Sequence, residues 1–231
     1  MNPFKGFDVT GNSKLWKNVP KKGLMRFLYV FIYNFSAVIR LNLIFLIFCI
    51  PVITLPLALA GMVRVASKMI RLEPVDIWGD FVKSVKQNWK QASVVFYIIA
   101  VGIAAACVAF CYYTENGNGS TIAGIGLVIC GLIIILLLLM MAYSMAMIVT
   151  VELKTRAVLK NALLLCVLGG KNTLSMLLSI IVINGIMVLF LPVSVLFAAL
   201  MGFAILSLLC FIYAWQPIER YAVSRELPDA A

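Results

Sequence analysis

Three observations predict an all-α fold, a polytopic transmembrane helical bundle of about six spans with both termini cytoplasmic. No ionised side chain occurs between Lys90 and Glu115, between Glu115 and Glu152, or between Lys171 and Glu219. Each gap matches or exceeds the roughly 20 apolar residues that cross about 30 Å of hydrocarbon. The composition agrees: 64% of the 231 residues are hydrophobic and only 12% are charged, against about 25% charged in a soluble domain that must keep a wet surface. The basic residues recur in short clusters between the apolar runs, and these clusters set the orientation.

Residues 1–26 form an N-terminal cytoplasmic segment, with Lys5, Lys14, Lys17, Lys21, Lys22 and Arg26 spread among Phe4, Phe7 and Trp16. No small-residue processing site closely follows the first apolar run, so the segment is expected to remain, either lying against anionic lipid or extending as a solvated tail. The bundle occupies 27–218. Its first hydrophobic region, Phe27 to Ile50, carries Arg40 and Asn42, and it continues through Pro51, Thr54 and Pro56 into Leu57 to Ile70. Two prolines five residues apart each remove a donor and restrict the preceding residue, which predicts a hairpin of two spans. Arg64 and Lys68 shorten the second arm, so a re-entrant path stays open for it. Arg40 is expected to snorkel to the inner surface if its helix starts near Phe35.

A basic connection near 71–91 follows. Within it Phe81, Val85 and Trp89 recur at i, i+4 spacing, with Lys83, Lys86 and Lys90 on another face, which predicts an amphipathic surface helix leading into a span over Ala92 to Tyr113. Small residues four apart, Ala100 with Ala104 and Gly102 with Ala106, predict a close helix contact there. A turn-rich loop around Asn118 precedes a return span from about Thr121 to Val149. A second basic connection, near 150–171, holds Asn161 and ends in a helix break at Gly169-Gly170. The last uncharged stretch is too long for one span, and Pro192 divides it into Thr173 to Leu191 and Val195 to Trp215. Asn184, deep in the fifth span, is expected to make one interhelical hydrogen bond. Residues 219–231 form a cytoplasmic tail.

Six Lys and Arg precede the first span, five fall between Lys68 and Lys90, and four between Lys154 and Lys171, while the intervening loops carry none. This alternation closes only with an even number of crossings. The formal charge of +10 is distributed beside apolar spans and does not form one solvated face, which argues against a nucleic-acid partner and for membrane lipids. With no histidine, the commonest general base and transition-metal ligand is missing. No acidic residue lies inside an expected span, and no Gly-x-Ser-x-Gly elbow or complete phosphate-binding loop is present. The six cysteines are scattered through apolar stretches without a Cys-x-x-Cys pair. A non-enzymatic protein without catalytic, cofactor or metal residues is expected.

The segment Leu41-Asn42-Leu43 leading to Pro51-Val-Ile-Thr54, the small-residue run Ala58-Leu-Ala60-Gly61, and the stretch from Asp80 through Asn88-Trp89-Lys90 to Ala92 resemble the YesL-like family of bacterial integral membrane proteins. The Asn-Pro-Phe start and Leu159-Lys-Asn161-Ala162 are similar in kind, so the resemblance covers most of the chain. Leu55-Pro56 stands where that family usually continues the turn with Ile-Gly. Members are of unknown function and are typically encoded beside carbohydrate uptake transporters of the ATP-binding-cassette type. The resemblance therefore implies a multi-pass protein of the bacterial cell membrane that serves as an accessory or regulatory subunit, with permease subunits of a sugar transporter as partners. No established functional residues can be carried over from that family. The contact surface expected from the residues themselves is Phe81, Lys83, Lys86, Trp89 and Lys90; Arg40, Asn42, Pro51, Thr54, Pro56, Asn161 and Pro192 are expected to be structural. The alternative is a stand-alone small-solute transporter that uses the backbone breaks at Pro51–Pro56 and Pro192. Solute and oligomeric state are not encoded in any legible pattern.

Overall fold

Backbone polar groups must pair within the chain wherever lipid replaces water, and a run of apolar residues does so as a helix. The computed structural model follows this rule throughout. It describes residues 23–116, 120–191 and 193–223. Among these there is no strand, and the helices are α1 (Leu24–Tyr33), α2 (Phe35–Cys49), α3 (Leu55–Arg71), α4 (Ile77–Asn116), α5 (Thr121–Thr150), α6 (Thr155–Leu168), α7 (Lys171–Leu189), α8 (Val193–Phe197) and α9 (Phe203–Ile218). A 3₁₀ turn, Val52–Thr54, joins α2 to α3, and π-helical turns occupy Ala198–Gly202 and Glu219–Val223. Most of the expected N-terminal segment, the loop at 117–119, Pro192 and residues 224–231 lie outside the described residues.

Five helical stretches are long and apolar enough to cross a membrane: Val52–Arg71, Ile77–Asn116, Thr121–Thr150, Lys171–Leu189 and Ser194–Tyr221. A sixth arises only if α1 and α2 are joined, and these meet at 88°. The protein is thus an all-α, multi-pass membrane bundle. The first span expected over Phe27 to Ile50 is thus bent within its length. The chain breaks at Asn34, which caps both helices and whose side chain turns back to the carbonyl of Val30 at 3.1 Å.

α3 lies at the centre, packed against α2, α4, α5 and α9. Its sequence explains why. Ala58, Ala60, Gly61, Ala66 and Ser67 are all buried, and such small side chains let neighbouring helices approach closely. Around it the core is filled by Leu41, Phe81, Ile99, Tyr143, Met147, Leu208 and Phe211, each almost wholly enclosed.

Arg26, Lys68 and Arg71 meet at the end of α3. There Lys68 pairs with Asp80 at 2.6 Å, the Nε of Arg26 donates to the carbonyl of Ile70 at 2.8 Å, and the Arg71 guanidinium sits 5.1 Å over the Trp215 ring. Gly169 and Gly170 end α6 and start α7, as their spacing suggests. Gly170 has φ +46°, and a Cβ on Gly169 would fall 2.6 Å from the Tyr143 hydroxyl, which bonds Thr173 at 2.8 Å.

Candidate functional site

The polar start of α4 is held against α3 by a short series of contacts. Asp76 opens the helix: its Oδ1 accepts the amide of Gly79 at 3.2 Å, and the Asp80 carboxylate reaches back to the amide of Asp76 at 3.0 Å, a reciprocal cap that also places negative charge at the positive end of the dipole. Asp80 then pairs with Lys68. One turn further, Ser84 donates to the carbonyl of Ala60 at 3.1 Å. Between them Phe81 fills the notch left by Gly61, where an added Cβ would lie 2.8 Å from the ring, and the Phe48 ring packs beside it, tilted by 60°, with centroids 5.0 Å apart.

Phe81 is therefore fully buried, which corrects its expected place on a contact surface. The reason is helical drift. Two i, i+4 steps rotate a side chain by about 80°, so Phe81 and Trp89 do not share one environment. Trp89 is 51% exposed, Val85 is half-buried, and Lys83, Lys86 and Lys90 are exposed on a stripe spanning about 60° of the helix. The Lys90 ammonium lies 5.2 Å over the neighbouring Trp89 ring. What remains for a partner is a cationic ridge with one large aromatic beside it.

Nor is this helix separate from the span it leads into. Ile77–Asn116 runs unbroken for 40 residues, about 60 Å, so the ridge is rigidly collinear with the apolar segment and does not lie flat on the bilayer as an independent element.

Next to the ridge is a polar recess of about 450 Å³ between α3, α4 and the end of α5, lined by Arg64, Gln87, Asn88, Gln91, Glu152 and Lys154 among others. The Arg64 guanidinium donates to the carbonyl of Val149, and Gln91 donates to that of Leu153 at 2.6 Å, so the end of α5 is tied to α3 and the α5–α6 connection to α4. A larger space, about 590 Å³, opens between α3, α5, α7 and α9 and is almost wholly apolar, with Asn184 and Ser207 as its polar members. Among the described residues no cluster of His, Cys, Asp or Glu has the arrangement of a metal site.

The residues expected to be structural fall in different places. Asn42 is fully buried. Its amide nitrogen donates to the carbonyls of Ala198 and Ala199 at 3.0 and 2.7 Å, and its oxygen accepts the amide of Ala204 at 3.0 Å. It thus bridges the π-helical turn, whose widened backbone leaves groups without regular helical partners. Arg40, two positions away and so on the opposite side of α2, is exposed, and α2 does start at Phe35. Pro51 precedes the 3₁₀ turn, Pro56 sits buried in the first turn of α3, and the Thr54 hydroxyl bonds the carbonyls of Phe48 and Pro51. Asn161 is half-buried on α6. Asn184 is exposed and bonds Ile180 of its own helix at 2.8 Å, not a neighbouring helix as expected. Of the small-residue pairs, Gly102 meets Leu137 of α5 and Ala106 is buried, while Ala104 is exposed.

Sequence reasoning missed Gly61 as the receptor for Phe81, the Lys68–Asp80 pair, and the bond from the Tyr97 hydroxyl to the carbonyl of Ile53 at 3.3 Å. The first had a signal, since Gly61 ends a run of small residues. The other two had none beyond separation across a hairpin.

No curated protein and no solved structure matches the chain. Residues 38–110, from α2 into α4 and including the hairpin and the basic helix, match the model of a family described as "Protein of unknown function, DUF624", and over that stretch the chain is similar to this family.

Proposed function

We propose that the protein is a non-enzymatic accessory or regulatory subunit in the bacterial cell membrane, associated with a carbohydrate uptake transporter of the ATP-binding-cassette type. The observation that carries this reading is the division of labour within α4. Phe81, Ser84 and Asp80 fasten the helix to α3, and on the same two turns Lys83 and Lys86, followed by Trp89 and Lys90, remain outward. A fixed cationic ridge at the end of a membrane helix suits docking to an acidic face of a partner or to anionic headgroups. The transporter as partner follows from the family resemblance.

A stand-alone solute transporter is the second reading, and the space between α3, α5, α7 and α9 favours it by location. Its lining counts against a sugar or ion substrate, which needs several convergent polar groups where Asn184 and Ser207 stand among apolar side chains.

Two experiments separate the readings. Copurification in mild detergent should recover a sugar permease with the wild-type chain, and the triple variant Lys83→Gln, Lys86→Gln, Lys90→Gln should lose it while melting at an unchanged temperature. Recovery of the chain alone, under conditions that keep the transporter intact, would refute the accessory role. Solute uptake into vesicles that contain only this protein would establish the second reading instead.

A further inference from the structure

Length and composition admit Val52–Arg71 as a crossing, but its neighbours place its outer end at a shallow depth. The Tyr97 hydroxyl bonds the carbonyl of Ile53, in the turn between α2 and α3. Tyr97 lies seven residues, about 10 Å along α4, beyond Lys90, the last charge before the apolar segment. From Tyr97 the same helix continues for 18 residues, about 27 Å, before it reaches Glu115. The turn is thus tied near the beginning of the α4 crossing and far from its end.

The charges of the hairpin itself agree. On α3 nine positions separate Leu55 from Arg64, and at the end of α2 the Phe48 ring lies 6.3 and 5.0 Å from those of Trp78 and Phe81 at the polar start of α4. The uncharged part of α3 is thus about 14 Å long, half of the roughly 30 Å hydrocarbon layer. Arg64 is bonded to Val149 beside Glu152 and Lys154, so it sits at the basic end of the bundle.

The turn is also built for an environment without water. Ile50, Val52 and Ile53 are 79%, 76% and 78% exposed, and no charged residue accompanies them. Its bent backbone is supplied with local donors: Thr54 shares its one hydroxyl hydrogen between the carbonyls of Phe48 and Pro51, and Tyr97 donates to that of Ile53. Side-chain hydroxyls that satisfy broken backbone are what irregular chain needs at membrane depth.

We infer that α2, the 3₁₀ turn and α3 form a re-entrant hairpin whose Ile50–Ile53 tip is a lipid-inserting surface, seated among the acyl chains of the leaflet next to Lys83–Lys90. The crossings are then α4, α5, α7 and α9. Their even number keeps both ends of the chain on one side.

The test uses full-length protein in sealed vesicles, with its six cysteines replaced and single cysteines restored by Lys83→Cys, Ile53→Cys or Asn116→Cys. A membrane-impermeant maleimide should label Lys83→Cys from one side only and Asn116→Cys from the other only. Ile53→Cys should react at least about tenfold more slowly than either, from both sides, because the thiolate does not form in hydrocarbon. Labelling of Ile53→Cys from the Asn116 side at the Asn116→Cys rate would overturn the inference, since the hairpin would cross. Labelling from the Lys83 side at the Lys83→Cys rate would also overturn it, since the tip would lie in water. If the cysteine replacements prevent folding, hydrogen exchange on the unaltered chain in lipid nanodiscs decides. A peptide containing Val52 and Ile53 should exchange far more slowly than one containing Glu152 and Lys154, which are exposed and outside a helix, and equal rates would reject the insertion.

Discussion

The two halves of α4 share one helical axis and differ in almost everything else. From Ile77 to Gln91 the helix has a buried face, with Phe81 and Ser84 enclosed, and a polar face of exposed lysines. Beyond Ile99 its outward face is apolar: Val101, Val108 and Tyr112 are exposed, as are Ile122, Ile125, Val128 and Leu132 on α5, which packs beside it. The first half is held by specific contacts with α3. The second is held by its solvent, because an outward apolar side chain gains as much from lipid as from another helix, and only close packing distinguishes the two. Substitutions along this one helix pair should therefore have sharply unequal effects.

The largest is expected for Phe81→Ala, which empties the notch over Gly61 and should lower stability by about 3 to 5 kcal/mol, read as a large fall in the thermal midpoint in detergent. A midpoint within experimental error of wild type would mean that α4 is not anchored there. Asn42→Leu comes next. It strands the carbonyls of Ala198 and Ala199 and the amide of Ala204, and a loss of about 2 kcal/mol is expected, the modest strength of hydrogen bonds between membrane helices limiting the effect. Val128→Ala on the outer face of the arm should change stability by less than about 0.5 kcal/mol. A drop comparable to that of Phe81→Ala would show that this face is covered by protein. The smallest expected signal is chemical. Burial pushes the Cys166 thiol on α6 up to about 11, so little thiolate exists near pH 8, and alkylation in intact protein should be slow and should quicken as pH rises toward that value. Prompt labelling at about pH 8 would show that α6 opens from the bundle.

Where the sequence was informative, it was so through charge. The uncharged runs after Lys90 and Lys171 mark α4, α5, α7 and α9, and the Gly169-Gly170 pair marks the α6–α7 break, because each is a local property of consecutive residues. The bend at Asn34 was hidden, since hydropathy has no direction and apolar residues flank the break on both sides. Phe81 was assigned to a surface by its i, i+4 spacing, whereas its burial depends on Gly61, twenty positions earlier on another helix. Asn42 is similar, as the π-helical turn it bridges lies more than 150 residues away. At the candidate site the lysines were legible from composition alone. The recess beside them was not, because it is formed by the end of α5 folding back against α3 and α4.

The uninterrupted length of α4 also has a mechanical meaning. Some 35 residues separate the Phe81 anchor from Asn116, about 52 Å of stiff rod, so a rotation of only about 5° about that pivot sweeps the distal end through about 5 Å. The helix is thus a lever, and the bonds of Gln91 to Leu153 and Tyr97 to Ile53, with α5 alongside, are what restrain its swing.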